Sequence, residues 1–440
     1  MRKIVAFRTL GCKVNQYETE NIKKSFFARA YREAEPGEKA DVYVINTCTV
    51  THLSDRKSRQ YIRRAHRENP AAVIAVTGCY AQRDREDVQK IEGVNLVVAN
   101  EEKNKLVDLV ERMRTGCRES ETEETALAGS VSEQAKEGRD QKIRAYIKVE
   151  DGCDRFCSYC VIPYARGRVR SRQPEDIIRE ARALVKAGKK EIVLSGINTA
   201  LYGTDDPSLP SLAGLLRALS DLPGSCRIRL SSLEPTVVER KDLAPLLHSN
   251  RLCHHLHLSC QSGSDRILRR MKRSYDRRTY LDLVEELRSF DPRYGVTTDI
   301  IVGFPGEEEE DVEDTLRLIE EARFLKVHVF PYSPRPGTEA ADMKEQIPPL
   351  VKAKRASLIS QKAEQVSLAF RADCRGEPGL VLVEERTKDG FYTGYTDNYI
   401  RVYLPADSAA EGATDRLNRF VRVQLTDIYK DGMKGVIMNG

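Results

Sequence analysis

The chain has 440 residues, of which 40% are hydrophobic and 32% charged, and its formal net charge is +5. A chain of this length is expected to fold into about two to four domains. No apolar run approaches the roughly 18 residues that a membrane-spanning helix needs, and the run IVAF before Arg8 is too short for a signal peptide. These features predict a cytoplasmic protein without a membrane partner. In that reducing compartment the eleven cysteines are expected to bind metal or carry thiol chemistry and not to form disulfides.

Residues 1–117 alternate short apolar segments with longer amphipathic ones. The segment 17–31 has a helical period, with Ile22, Phe26, Phe27 and Ala30 on one face. Apolar segments that predict strands lie at 3–9, 41–46, 72–77 and 96–99. This alternation predicts an α/β domain, in which helices cover a parallel sheet.

The rest of the chain divides into three parts. Residues 118–141 are acidic, without apolar periodicity, and predict a linker. Residues 142–373 carry six predicted strands, KIRAYIKV, EIVLSG, RIRLSS, HHLHLS, VTTDIIVG and KVHVFPYS. Six βα units are too few for a closed eight-fold barrel, so we expect a partial (βα)6 barrel that is open on one side. Residues 374–440 contain short strands with Gly and Asp turns, which predict a small all-β barrel or sandwich.

Three cysteines, Cys153, Cys157 and Cys160, stand in a C-x3-C-x2-C loop directly after a predicted strand of the barrel. Active sites of barrels lie on such loops. A structural zinc site needs four ligands, and no fourth Cys or His lies near. An iron–sulfur cluster held by three cysteines has one iron free to bind something else. The loop therefore favours an iron–sulfur cluster over zinc or incidental thiols.

The loop CDRFCSYC, with Tyr159 just before its last cysteine, resembles the signature of radical S-adenosylmethionine (SAM) enzymes. In that superfamily the open iron is chelated by the amino and carboxylate groups of SAM. One electron from the reduced cluster then cleaves SAM to methionine and a 5′-deoxyadenosyl radical. A cluster of low potential, on the order of −400 mV or below, is needed for this reduction.

A second set of cysteines lies in the N-terminal region. Cys12, Cys48 and Cys79 each follow the end of a predicted strand by one to three residues. The carboxyl ends of parallel strands share one edge of a sheet, so these thiols are expected to meet in space. The alternative is three independent cysteines in the core or in loops. The remaining cysteines show no such pattern and are expected to be structural or incidental: Cys117, Cys226, Cys253, Cys260 and Cys374.

Two three-cysteine sets and a small β-domain resemble the radical-SAM methylthiotransferase family over nearly the whole chain. The shared motifs are GCKVNQYE, NTCTVT, TGCYAQ, CDRFCSYCVIPYARGR, LSGIN, SLEP, QSGSDRILRRMKR, IIVGFPGE and PYSPRPGT. The resemblance implies a second 4Fe–4S cluster on Cys12, Cys48 and Cys79, whose open iron carries the sulfur to be inserted. It also implies a TRAM-like RNA-binding tail, a tRNA partner and a low-potential electron donor protein.

Polar and glycine residues past the barrel strands are candidates for the SAM site. Gly196, Asn198, Glu234 and Gln261 lie at or just after strand ends, as does the GFPG segment 303–306. The resemblance suggests that several of them, with Tyr159, contact SAM. Turn geometry explains the glycines equally well. No catalytic side chain beyond the cysteines is assigned.

Three histidines, His254, His255 and His257, invite a metal interpretation. On a strand His255 and His257 share one face and His254 takes the other. We expect a packing role in the barrel interior in preference to a ligand set.

Basic runs at 56–67, 166–172 and 269–278 favour a phosphate backbone as partner over solvated helix faces. The C-terminal domain itself is not basic. Its aromatic residues either stack RNA bases or pack strands; the candidates are Tyr392, Tyr395, Tyr399, Tyr403 and Arg401.

The resemblance implies an enzyme that uses two SAM molecules to add a methylthio group to a substrate. The motifs look most like those of enzymes for carbon 2 of N6-threonylcarbamoyladenosine at position 37 of the tRNA anticodon loop. Alternatives within the family are isopentenyladenosine in tRNA and an aspartate of a ribosomal protein. An alternative of another class is a non-catalytic, metal-stabilised RNA-binding module. The incomplete ligand sets favour catalysis, because a structural metal site has no use for an open position.

Overall fold

The computed structural model describes residues 3–115, 143–235, 243–244, 247–405 and 416–438. The chain divides into two compact units, Met1–Lys142 and Ile143–Gly440. The predicted linker 118–141 lies outside the described residues. Among the described residues, no helix is both long enough and apolar enough to cross a membrane. The domain boundaries by residue number stay a prediction.

The first unit contains the expected parallel sheet, in the order β2-β1-β3-β4-β5. Its strands are β1 (Ile4–Thr9), β2 (Arg32–Glu33), β3 (Val42–Thr47), β4 (Val73–Gly78) and β5 (Leu96–Val97). Its helices are α1 (Lys13–Ala28), α2 (His52–Glu68), α3 (Cys79–Arg83), α4 (Arg85–Gln89) and α5 (Leu106–Thr115), with a 3-10 helix at Asn100–Lys105. Every pairing in the sheet is parallel, as the βα alternation predicts.

The buried face of helix α1 differs from the predicted one. Ile22 and Phe26 are buried, and Phe26 packs edge-on against Phe7 at 5.7 Å between ring centroids. Phe27 is 42% exposed, and Ala30 lies beyond the helix with φ of 61°. The buried stripe recurs every four residues, so Phe27, one position further round, turns away from the sheet.

The second unit begins with the partial barrel. The six predicted strands are β6 (Arg144–Lys148), β9 (Glu191–Ser195), β10 (Arg227–Leu230), β12 (His255–Leu258), β13 (Gly295–Val302) and β14 (Lys326–Pro331). Short strands β7 (Glu150–Asp151), β8 (Arg170–Ser171) and β11 (Ser232–Leu233) lie between them. The parallel sheets β10-β9-β6 and β11-β12-β13-β14 are linked by a bridge between Ile228 and Leu252. The succession of strands confirms the predicted partial barrel.

Helices of the described residues lie between and after these strands, and most of them pack on the outside of the barrel. They are α6 (Ile162–Arg166), α7 (Pro174–Lys186), α8 (Leu212–Ser220), α9 (Asp265–Arg270), α10 (Arg277–Phe290), α11 (Glu309–Ala322), α12 (Glu339–Asp342) and α13 (Pro349–Asp373), with a 3-10 helix at Thr199–Leu201. Leu256, Leu258, Val296 and Ile300 join the core between strands and helices. Because side chains alternate along a strand, their neighbours face the barrel interior.

The last five strands close into a small barrel in the order β15-β16-β17-β19-β18, which confirms the predicted β-domain. They are β15 (Pro378–Arg386), β16 (Phe391–Tyr395), β17 (Arg401–Pro405), β18 (Phe420–Tyr429) and β19 (Gly432–Ile437).

A buried ion cluster joins the small barrel to the amino ends of the large one's strands. The Glu191 carboxylate accepts hydrogen bonds from Arg227 Nε at 2.6 Å and from Arg229 Nε at 2.9 Å. Arg229 also donates to the carbonyl of Asp397 at 3.0 Å, and Arg227 to that of Tyr395 at 2.8 Å. One carboxylate therefore holds the guanidinium groups that dock the small barrel.

Candidate cluster and cofactor sites

The three N-terminal thiols meet at one edge of the parallel sheet. Cys48 and Cys79 directly follow the paired residues Thr47 and Gly78 of adjacent strands. Cys12 follows the neighbouring strand β1 and lies at the start of α1. A Cβ added to Gly11 would lie 2.8 Å from Cys48 Sγ, so the loop that carries Cys12 passes against Cys48.

Side-chain hydrogen bonds from the cysteine motifs fix these loops. Asn15 Nδ2 of GCKVNQYE donates to the carbonyls of Leu10 at 2.7 Å and Thr47 at 2.9 Å. Thr47 Oγ1 of NTCTVT donates to the carbonyl of Thr77 at 2.6 Å and accepts from the Ala81 N–H at 3.2 Å. The motif residues around the cysteines thus tie all three loops together.

One thiol of this set, Cys48, favours its protonated form when no metal is bound. Burial, with smaller contributions from the neighbouring Cys79 and Cys12, raises the pKa of Cys48 to about 11. At neutral pH the thiol keeps its proton, and only a bound cation favours the thiolate. Three thiols at one edge fit three corners of a 4Fe–4S cluster and leave its fourth iron open.

The second cysteine set lies on a tightly held loop of the partial barrel. The Cys153 N–H donates to the Gly167 carbonyl at 3.1 Å, and Ser158 Oγ donates to the Arg270 carbonyl at 2.7 Å. Gly152 has φ of +84°, and a Cβ there would lie 1.9 Å from the Arg168 oxygen. Only glycine fits this position, which sets the entry angle of the cysteine loop.

Burial also favours the protonated thiols of Cys153 and Cys160 in this loop. Burial raises the pKa of Cys160 to about 12 and that of Cys153 to about 11, and the nearby Cys157 raises both. Arg273 directs its guanidinium at the set, with an N–H donated to Cys157 Sγ at 3.2 Å. Hydrogen bonds to cluster sulfurs are one of the ways in which proteins set cluster potential. Arg273 was not singled out from the sequence, although it ends the motif QSGSDRILRRMKR.

Two of the residues predicted to contact SAM lie in mutual contact. Asn198 Nδ2 donates to Glu234 Oε2 at 3.1 Å, and the Glu234 N–H donates to Asn198 Oδ1 at 3.1 Å. Arg155, inside the cysteine loop, lies 2.9 Å from Glu234 Oε2. Arg273 lies 3.8 Å from the other carboxylate oxygen. These contacts place a polar, charged surface directly beside the three thiols.

Three other residues predicted to contact SAM also have structural roles: Gly196, Gln261 and Tyr159. A Cβ on Gly196 would lie 1.9 Å from Glu150 Oε1, so glycine is needed to admit that carboxyl. Gln261 has φ of 71°, and its backbone continues the sheet by bonding to Asp299 and Ile301. Tyr159 packs against an apolar cluster of Ile267, Met271, Phe304, Tyr332 and Ala340. Their contact with SAM stays a prediction.

The GFPG segment forms a turn that its own neighbours stabilise. Gly303 has φ of +70°, and its N–H donates to Glu307 Oε2 at 2.6 Å. The Gly306 N–H donates to the Glu345 carbonyl at 2.8 Å. Turn geometry therefore accounts for these glycines.

Glu150, immediately before the cysteine loop, was missed by sequence reasoning. Its Oε1 accepts the Asn198 N–H at 2.7 Å, and its side chain is buried. Burial raises the pKa of Glu150 to about 8, so the carboxyl is largely protonated at neutral pH. It therefore orients the Asn198 turn without adding a full negative charge beside the thiols.

Two of the histidines pack, as expected. His254 Nδ1 lies 2.7 Å from Asp291 Oδ2, and its ring stacks on Tyr294. His255 stacks on Tyr399, with ring centroids 4.4 Å apart. His257 lies close to Asp299 and His328.

The predicted RNA-stacking tyrosines divide into two groups. Tyr395 and Tyr399 stack on one another at 4.8 Å, and Arg144 lies 4.4 Å from the Tyr395 ring centroid. These rings are engaged at the junction with the partial barrel, which favours the strand-packing alternative for them. Tyr403 instead packs with Phe391 and Tyr429 on the small barrel. Basic groups surround that cluster, including Arg401 and Lys430.

The basic runs also divide between burial and exposure. Arg166 is buried and paired with Asp151 at 2.8 Å, so it is not available to a phosphate. Arg168 and Arg170 are exposed, as are Arg63 and Arg67 on α2. These exposed arginines are the candidates for RNA backbone contact.

The chain is similar to known proteins over nearly its whole length. Residues 147–319 match a family model described as the radical SAM superfamily, and residues 4–99 match one described as uncharacterized protein family UPF0004. Threonylcarbamoyladenosine tRNA methylthiotransferase MtaB of Bacillus subtilis is 40% identical over 427 residues, which cover 96% of this chain and 93% of the relative. The chain belongs to the radical-SAM methylthiotransferase family.

Further relatives of this methylthiotransferase carry two kinds of name. MtaB of Thermotoga maritima is 37% identical over 98% of the chain and 96% of the relative. The tRNA-2-methylthio-N(6)-dimethylallyladenosine synthase of Carboxydothermus hydrogenoformans is 33% identical and covers 98% of each chain. Family membership makes this protein a radical-SAM enzyme and implies SAM and a 4Fe–4S cluster, which the three thiols of the barrel loop fit.

A solved structure supports the fold alone. The radical SAM methyltransferase TsrM from Kitasatospora setae, with cobalamin and a [4Fe-4S] cluster bound, has a TM-score of 0.56 at 13% identity. The match covers 94% of this chain and 82% of TsrM.

Proposed function

We propose that this methylthiotransferase adds a methylthio group to carbon 2 of N6-threonylcarbamoyladenosine at position 37 of tRNA. The observation that carries the chemistry is the presence of two separate three-thiol sets. The substrate is supported by identity: relatives named for threonylcarbamoyladenosine are 37–40% identical. Relatives named for dimethylallyladenosine are 33–35% identical.

The two thiol sets support two 4Fe–4S clusters with different tasks. When bound, the cluster on Cys153, Cys157 and Cys160 supplies the electron that cleaves SAM, and the cluster on Cys12, Cys48 and Cys79 holds the sulfur. A second SAM supplies the methyl group, and a low-potential protein supplies the electrons. Radical chemistry suits the target, because the aromatic C–H bond at carbon 2 is neither acidic nor electrophilic.

The side chains beside the barrel loop have roles that follow from their contacts. Glu234, held by Arg155 and Asn198, offers a carboxylate to the cationic end of SAM. Arg273 holds its positive charge next to Cys157 Sγ, where it would offset the negative charge of a thiolate-bound cluster. Glu150 holds the turn at Asn198 by accepting a hydrogen bond from the Asn198 N–H.

A tRNA partner is supported by charge and by aromatic surface. Arg168 and Arg170, exposed beside the cysteine loop, offer charge to phosphates. Phe391 and Tyr429, half-buried beside the buried Tyr403, offer ring surface to unstacked bases. The relatives reported above are named as tRNA-modifying enzymes, which favours tRNA over a ribosomal-protein aspartate.

Deleting the gene from its host is expected to remove the 2-methylthio form of threonylcarbamoyladenosine from tRNA and to leave the unmethylthiolated nucleoside in its place. Mass spectrometry of digested tRNA measures both. Plasmid-borne wild type should restore the product, and the Cys48→Ala variant should not. The isopentenyl nucleosides serve as the internal control. Loss of only the methylthio-isopentenyl nucleoside would overturn the substrate assignment.

A further inference from the structure

Three side chains of the partial barrel converge from three adjacent parallel strands. His257 lies on β12, Asp299 on β13 and His328 on β14. Asp299 and His328 are direct partners in the strand register. One ligand atom from each of the three residues lies within 4.8 Å of the other two. We call this group the His257–Asp299–His328 triad.

The triad faces the barrel interior. Leu258 and Ile300, next to its members along β12 and β13, belong to the core under the helices. Val327 and Val329, on either side of His328, pack against that same core. Because strand side chains alternate, the triad points to the opposite side, into the barrel.

Hydrogen bonds hold His257 in the orientation of a ligand. His257 Nε2 lies 3.2 Å from Asp299 Oδ2, and its other nitrogen, Nδ1, lies 3.0 Å from Thr297 Oγ1. The same hydroxyl lies 3.0 Å from His255 Nε2. Thr297 Oγ1 can accept a hydrogen bond from His257 Nδ1–H while its own hydroxyl donates to His255 Nε2. With Nδ1 as the donor, His257 Nε2 can give its lone pair to a cation that lies between it, Asp299 and His328, the arrangement that metal-binding histidines use.

We propose that the triad binds a divalent transition metal of the zinc or iron(II) type, separate from both cysteine sets. Two imidazoles and one carboxylate are ligands that these ions favour. An ordinary ion pair needs one histidine and one carboxylate, whereas here a second imidazole converges on the same point. Three protein ligands leave positions open for water or for a substrate group inside the barrel.

The site is tested with zinc on the full chain after both iron–sulfur clusters have been assembled. The protein is incubated with zinc and desalted without oxygen, and zinc and iron are counted. We expect one zinc per chain with unchanged iron. His257→Ala, His328→Ala and Asp299→Asn should each weaken zinc binding at least about tenfold. His248→Ala, which removes an exposed histidine outside the triad, is the matched control.

Two further measurements keep the test decisive. Thr297→Val keeps all three ligands, removes the hydroxyl that bonds to His257 and His255, and should weaken zinc binding about 10- to 100-fold. Zinc K-edge absorption should show nitrogen and oxygen neighbours at about 2.0–2.2 Å, and not sulfur at about 2.3 Å. Equal zinc content in wild type and all triad variants, or a sulfur shell, would overturn the proposal.

Discussion

Replacing Cys153, Cys157 or Cys160 by alanine is expected to reduce SAM cleavage to background. Replacing Cys12, Cys48 or Cys79 should leave cleavage to 5′-deoxyadenosine in place and abolish methylthio transfer. In the proposed function, the first change removes a ligand of the cluster that reduces SAM, and the second a ligand of the cluster that holds the sulfur. Each set of variants should also lower the iron content from about eight per chain to about four.

The measurements are iron analysis and chromatography of 5′-deoxyadenosine and methylthiolated nucleoside. Cys226→Ala is a matched control, since Cys226 is buried like Cys48 but lies outside both sets. It should keep both activities and the full iron content. A fully loaded wild type with four irons would contradict the two-cluster account, as would loss of cleavage in the N-terminal variants.

Glu191→Gln is expected to lower the free energy of unfolding by about 3–5 kcal/mol. The change leaves the buried Arg227 and Arg229 without their counter-charge. Denaturant titration of the full chain measures the loss. Glu38→Gln, in a half-exposed pair with Arg32, is the control and should change stability much less than Glu191→Gln. Equal stability of wild type and Glu191→Gln would show that the cluster does not hold the small barrel.

The Glu191 carboxylate is also expected to make the stability of the protein depend on pH. Burial alone raises the pKa of Glu191, but the charges of Arg229, Arg227 and Arg144 outweigh it and hold the pKa well below the ordinary 4.5. A lowered folded-state pKa adds stability above pH 4.5, and this contribution is lost as pH falls further below that value. Wild type should therefore lose more stability than Glu191→Gln between pH 6 and about pH 3.

The strand pattern was enough to predict the parallel sheet, the partial barrel and a small all-β domain, but it left a barrel and a sandwich open for that domain. The pattern also predicted that Cys12, Cys48 and Cys79 lie at one edge of the sheet, because the carboxyl ends of parallel strands share that edge. The domain boundaries and the ligand roles of the cysteines stay predictions.

Contacts between distant parts of the chain could not be predicted in this way. Arg273 and Glu150 act through partners on other loops, and no local pattern marks those pairings. Tyr395 and Tyr399 have an alternation typical of either a base platform or a packed face. Only the approach of Arg144 and His255 decides between the two. The proximity of His328 to His257 could not be predicted either, because it depends on strands about 70 residues apart in sequence.

The most direct test of the central claim is product stoichiometry with purified tRNA. With tRNA that carries threonylcarbamoyladenosine, we expect one 5′-deoxyadenosine and one S-adenosylhomocysteine per methylthiolated product. Isopentenylated tRNA should give no product. Methylthiolated product without 5′-deoxyadenosine would contradict the radical mechanism, and turnover of only the isopentenylated tRNA would contradict the substrate.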